Sequence, residues 1–200
     1  MKNKIIDQII QIVKRQGIIR PRDMDEYNIH RKYIHVLYSR GMLIRIGRGL
    51  YTLPDTEPSE NRSIAEACKR MPSGIICLLS ALRFHELTTQ SPYEVWMAID
   101  NKARSPKELG IPIRIARYSG EVLTSGIEQH KIEGVSIRVY SPAKTVADCF
   151  KFRNKIGLDV ALEALRDCHQ SRKCTMDDLW KYAKICRVAK IMKPYLESLV

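Results

Sequence analysis

No run of about 18 uncharged apolar residues occurs anywhere in the 200-residue chain, so no segment reads as a membrane-spanning helix. The opening MKNKIIDQIIQIVKRQ breaks its apolar residues with charge every few positions. It therefore lacks the apolar stretch of a secretory signal, and a cytoplasmic protein is expected. The six cysteines, Cys68, Cys77, Cys149, Cys168, Cys174 and Cys186, contain no C-x-x-C pair and no histidine at zinc spacing. Neither a metal ribbon nor a disulfide framework is indicated, and the thiols are expected to be buried small hydrophobes. Also missing are a P-loop, a G-x-G-x-x-G after a strand, an H-E-x-x-H and a G-x-S-x-G. No cofactor, metal or catalytic residue is therefore assigned, and the expected protein is not an enzyme.

What the chain does have is an excess of positive charge, unevenly spread. Residues 1–54 carry 11 Lys and Arg against 4 Asp and Glu, while residues 55–200 carry 23 against 18. A concentrated positive field favours a polyanion, because each neutralised phosphate releases condensed counterions. The plain alternative is a solvated basic surface.

Periodicity gives the basic quarter a shape. Ile5, Ile6, Ile9, Ile10 and Val13 form one stripe of an amphipathic helix that Gly17 ends. Pro21 opens a second helix to about Tyr27, with Asp23 and Asp25 complementing its N-terminal turn. A third helix runs from about His30 to Arg40 and stops at Gly41. Within it Ile34, Leu37 and Tyr38 share a face, which leaves Lys32, His35, Val36 and Ser39 opposite and Arg31 and Arg40 on the flanks. Residues 30–40 contain no acid. Long cationic and short hydroxyl side chains suit base edges and phosphates. Met42–Ile46 and Leu50–Leu53 then read as two strands joined through Gly47-Arg48-Gly49, whose glycines permit a tight turn. Helices followed by a hairpin tipped with Arg45 and Arg48 describe a winged helix-turn-helix that binds duplex DNA. The candidate DNA-binding residues are Arg31, Lys32, His35, Ser39, Arg45 and Arg48.

The polar stretch DTEPSENRS, residues 55–63, is the natural linker to a second domain over 64–200. Helices are expected over Ile64–Met71 and Ile75–Leu87, and strands over Tyr93–Ile99, Ile111–Tyr118, Ile127–Ile132 and Val135–Tyr140. Further helices follow: Pro142 to about Arg153 with Ser141 as cap, Leu158–Cys168, Met176–Ile185 and Ile191–Leu199. The fold class is α+β: a winged helix-turn-helix joined to an α+β domain with a small, mostly antiparallel sheet and a helical tail. Lys102, Arg104, Lys107, Arg114 and Arg117 form a candidate second basic patch. Lys144 reads as a surface residue on a well-capped helix, or as an anion contact at that helix's start. Asp100-Asn-Lys102, with Glu86 and Glu94 upstream, is the one arrangement with a nuclease flavour. A DNA-targeted metal-dependent nuclease and a stand-alone regulator are thus the alternative functions.

The wing Gly41-Met-Leu-Ile-Arg-Ile-Gly-Arg-Gly-Leu-Tyr51, then Leu79-Ser-Ala-Leu82, the strand around Trp96 and Ser141-Pro-Ala-Lys-Thr-Val-Ala-Asp148 together resemble the AbiEi antitoxins of type IV toxin–antitoxin systems, associated with phage defence. The resemblance implies a winged helix that binds inverted repeats in the promoter of its own operon and represses it. It also implies a C-terminal domain that counters a nucleotidyltransferase-type toxin without a stable complex. Its DNA contacts carry over onto the six residues named above. An inverted-repeat operator requires two copies of the chain on the DNA.

Overall fold

The computed structural model describes residues 2–104 and 110–199, the side chains of Lys2 and Asn3 excepted. The described residues cluster into two units. One holds the chain up to Pro72 with Gly110 and residues 131–137, and the other holds the rest.

In the first unit, α1 (Lys2–Gln16) turns the isoleucine stripe inward, with Ile9 and Val13 buried. Gly17 ends it at φ +66, and a Cβ there would lie 1.5 Å from the Glu133 carbonyl oxygen. Only glycine satisfies both the left-handed backbone and that approach. Pro21–Tyr27 follows as a 3₁₀ helix rather than an ordinary α-helix. Arg20 and Asp23 tie its first turn: the Arg20 amide and Nε donate to the Asp23 carboxylate at 2.9 Å. Asn28, in the left-handed region at φ 54, closes it. Next comes α2 (Lys32–Ser39), then the antiparallel pair β1 (Ile44–Gly47) and β2 (Leu50–Thr52). Ile19 bridges Tyr51 through two backbone hydrogen bonds of 2.9 Å, a single-residue bridge beside the two-stranded wing. Ile9, Ile12, Val13, Met24, Ile34 and Leu37 pack into one core with Leu43 and Tyr51. The arrangement is a winged helix-turn-helix.

The first unit does not stop at Pro54, because α3 (Arg62–Arg70) belongs to it. Lys69 of α3 reaches the buried Asp23 at 2.8 Å. Burial alone would raise the Asp23 carboxyl, but hydrogen bonds from Lys69 and Arg20 hold it below its ordinary value.

The second unit is built on a five-stranded sheet of order β5-β4-β3-β7-β6. Its strands are β3 (Ile75–Ile76), β4 (Val95–Asp100), β5 (Ile113–Tyr118), β6 (Ile127–Ile132) and β7 (Val135–Tyr140). The tip of β6 and β7, residues 131–137, is counted with the first unit. Helices α4 (Leu78–Phe84), α5 (Glu121–Thr124), α6 (Pro142–Lys151), α7 (Arg153–Ile156), α8 (Leu158–Gln170), α9 (Met176–Ile185) and α10 (Ala189–Glu197) complete it. The α+β class, the two-stranded wing, the larger sheet and the helical tail agree with the sequence reading. The core gathers Trp96, Tyr118, Tyr140, Val146 and Phe150 with Leu165, Leu179 and Met192 of the tail.

Further details differ from expectation. The sheet is mixed rather than mostly antiparallel, since β4 runs parallel to β5 and β3 parallel to β7. After Asp100 the chain does not turn straight back: the Lys102 amide donates to the Asp100 carboxylate at 2.8 Å, and Arg117 Nη1 donates to the Asn101 and Ala103 carbonyls at 2.9 Å. Ile75-Ile76 is a strand rather than the start of a helix, and Leu78 at φ 47 marks the switch into α4. Ser141 occupies the N-cap of α6, but its hydroxyl makes no cap hydrogen bond. Finally, Cys168 and Cys174 form a disulfide, with Cα atoms 5.8 Å apart. Cys77, Cys149 and Cys186 are buried thiols, as expected.

Candidate nucleic-acid interface

Helix α2 buries Ile34 and Leu37 completely, and that anchors its remaining faces outward. Arg31, Lys32, His35, Ser39 and Arg40 are exposed. Tyr38, placed inward by the periodicity, is instead 45% exposed, with its ring edge-on to Tyr51 at 5.8 Å. At eight residues the helix is short, so the turn from 37 to 38 already passes beyond the core's edge. The exposed surface therefore adds an aromatic side chain to the cations and the hydroxyl. Ser39 Oγ donates to the Val36 carbonyl at 3.0 Å, a local bond readily exchanged for an outside acceptor. His30 also takes part: its Nδ1 accepts from the Lys32 amide at 3.1 Å, fastening the start of the helix.

The wing places Arg45 and Arg48 on its exposed side. Gly49 at φ +70 makes the tip turn. Arg45 Nε donates to the Gly47 carbonyl at 3.2 Å. Beneath the tip, Arg70 of α3 donates to the Arg48 carbonyl at 3.1 Å, and a Cβ on Gly47 would stand 2.7 Å from its guanidinium. Sequence periodicity gave no hint of this strut, because Arg70 lies 22 residues from the carbonyl it holds.

Arg31 is not a bare cation. Its Nε donates to Asp25 Oδ1 at 2.9 Å and its Nη2 donates to Oδ2, a two-pronged ion pair. The Arg31 bond holds the Asp25 carboxyl below its usual range.

The second basic patch does not gather as a free cationic surface. Arg114 pairs with Glu94 at 3.4 Å and lies over the Trp96 ring at 4.6 Å, while Arg117 secures the 100–103 turn. Lys102 and Arg104 are exposed, and Lys107 lies outside the described residues. A longer basic run that the patch reading missed is Lys181, Lys184, Arg187, Lys190 and Lys193, all exposed on α9, α10 and the turn between them. Residues 179–196 contain no acid, and a cation at every third position was the available signal.

Lys144 is neither on the surface nor part of a patch. It is fully buried, its Nζ 2.6 Å from Asp148 and 4.0 Å from the centre of the Tyr140 ring. Cys186 Sγ donates to the other Asp148 oxygen at 3.3 Å. Burial pushes the Asp148 carboxyl up, while Lys144 pulls the other way.

The nuclease residues are engaged elsewhere. Asp100 holds the Lys102 amide, Glu94 pairs with Arg114, and the highly exposed Glu86 pairs with Lys173 at 3.2 Å. Among the described residues no group of three or more His, Cys, Asp or Glu side chains is placed to hold a metal ion. No described helix is long and apolar enough to cross a membrane.

The fold and its exposed cations define the first unit as a winged-helix module. Residues 7–54 match the family model described as "Transcriptional regulator, AbiEi antitoxin", so this segment is similar to the corresponding part of those regulators. No curated protein matches the chain. Among solved structures it is similar to the crystal structure of RV2827C protein from Mycobacterium tuberculosis. That similarity has a TM-score of 0.58 and 11% identity, and covers 89% of this chain and 70% of that one. At this identity the likeness concerns the fold.

Proposed function

We propose that the chain is a DNA-binding autorepressor and the antitoxin of a type IV toxin–antitoxin system. On this reading residues 1–54 bind inverted repeats in the promoter of its own operon. Residues 64–200 counteract a nucleotidyltransferase-type toxin without a stable complex. The observation that carries the DNA part is the exposure of Lys32, His35, Ser39, Arg45 and Arg48 on α2 and the wing, within residues 30–54 that contain no acid. Lys32, His35 and Ser39 face the major groove from α2, and Arg45 and Arg48 follow the backbone or enter the adjacent minor groove. Arg31 acts at the start of the helix. Lys102 and Arg104 supply positive surface in the second domain. Two copies bind an inverted repeat, associating on the DNA, and the protein works without a cofactor in the cytoplasm.

The test uses the full chain and duplexes from the region upstream of its own reading frame. Sequence-selective retention of one duplex, together with restored growth when the chain is co-expressed with a nucleotidyltransferase encoded beside it, supports the reading. Absence of both overturns it. Magnesium-dependent cleavage of plasmid, lost in Asp100→Ala, would replace it with the nuclease alternative.

A further inference from the structure

The Asp25–Arg31 pair sets an acid beside the first cation of the α2 region, and its geometry is specific. An arginine guanidinium has two edges able to donate a parallel pair of N–H bonds. Asp25 takes the edge formed by Nε and Nη2. The other edge, both N–H of Nη1 and the second of Nη2, has no partner among the described residues, and the side chain is 59% exposed. Arg31 stands at the N-cap of α2, the end from which a helix-turn-helix touches base edges.

We infer that Asp25 is a positioning residue for sequence recognition: by gripping one edge of Arg31 it aims the other at the O6 and N7 acceptors of a guanine in the major groove. The inference rests on the DNA-binding reading above. Two physical points favour guanine over a phosphate as the partner. A free arginine samples many rotamers, whereas one clamped at its inner edge presents a fixed fork, which suits a planar two-acceptor target. The pair is also electrically neutral, so it attracts a phosphate poorly and releases few counterions. The role of Arg31 thereby differs from the one proposed for Arg45 and Arg48, which act from the wing on the phosphate backbone or in the minor groove.

The experiment is selection from a randomised duplex library by the full-length protein and by two variants, followed by salt titration on the selected duplex and on an unrelated one. Arg31→Lys keeps the charge and loses the fork. Asp25→Ala frees the fork and adds net positive charge. The unmodified chain is expected to select a guanine at one position of each half-site. Arg31→Lys should lose about tenfold of that preference with no change in salt slope. Asp25→Ala should lose a similar preference while binding the unrelated duplex more tightly, with a slope steeper by up to about one unit. Asp25→Asn, which keeps one acceptor oxygen, should retain more of the preference than Asp25→Ala. Because both side chains are exposed, the melting curves of the variants should overlay that of the parent. If Arg31→Lys and Asp25→Ala select the same motif as the parent with equal stringency, the inference falls while DNA binding stands. If the parent selects no motif at all, the DNA-binding reading falls and takes the inference with it.

Discussion

Lys144 shows how far one residue's environment departs from what its neighbours suggest. Written Ser-Pro-Ala-Lys-Thr, it follows a proline at a helix start and reads as solvated. In the fold it is sealed against Tyr118 and Tyr140 and bound to Asp148, four residues on. The i to i+4 spacing of the pair was visible in the sequence. Its burial was not, because that is decided by the tail helices packing over α6 from far along the chain. A buried ion left alone is costly, so Lys144→Ala should destabilise the protein by about 3–5 kcal/mol. The double change Lys144→Met with Asp148→Leu should cost far less. Urea unfolding measures both, and equal losses would contradict the pairing. His85 gives a second residue-scale prediction. Its Nε2 donates to the Tyr140 carbonyl at 2.7 Å, and burial holds its pKa below 6.5. Above 6.5 the ring is neutral in both folded and unfolded chains and adds no pH dependence. As pH falls below 6.5 the unfolded chain takes the proton first, so stability drops until the folded pKa is reached. His130, Glu128 and Lys173 act on the same ring, and Asp23 adds its own loss only in the more acidic range set by its lowered carboxyl. Melting temperature followed downward from pH 7.5 should fall less in His85→Gln than in the parent.

At the scale of elements, the legible parts were those with local punctuation. Gly17, Gly41, Pro142 and the Glu133-Gly134 turn each mark a boundary where the chain's own φ preferences decide, and the matching helices and strands appear within a few residues. The isoleucine stripe of α1 was equally plain. Two kinds of feature escaped. The strand β3 is two residues long and cannot show a period, yet it lies between β4 and β7. The parallel sense of β4 and β5 depends on how the chain is steered after Asp100, which no period encodes. Half of the candidate interface was likewise local: exposure of Lys32, His35 and Ser39 follows from burying Ile34 and Leu37. The partners of Arg31 and Arg48 were not, since Asp25 lies on another element and Arg70 on one outside the family-matched segment. Arg70 predicts an element-level effect. Arg70→Ala should loosen the wing and weaken duplex binding several-fold, on the scale of one hydrogen bond to a charged donor, while leaving sequence preference unchanged. Binding equal to the parent's would show that the wing holds itself.

Over the whole molecule the uneven charge is the property that composition displays and folding turns to use. The basic quarter becomes a module whose apolar stripes are consumed by its own core, so its described cations other than the half-buried Arg20 are left outside. Residues 55–200 carry a smaller excess, 23 Lys and Arg against 18 Asp and Glu, over a much longer stretch, with Lys144 paired inside and a basic run along α9 and α10. The same counting that exposed the first unit's field concealed where the second unit keeps its charge. Electrostatic attachment to a polyanion has a thermodynamic signature at this scale: the affinity falls linearly with salt on a double-logarithmic plot, in proportion to the phosphates neutralised. The most direct measurement is that plot for the full-length chain on a selected duplex, beside Arg45→Ala and Arg48→Ala. A steep negative slope, reduced by about one unit in each variant, is predicted. A flat line for the parent, or slopes identical in all three proteins, would contradict the claim that the winged helix grips duplex phosphates with its wing.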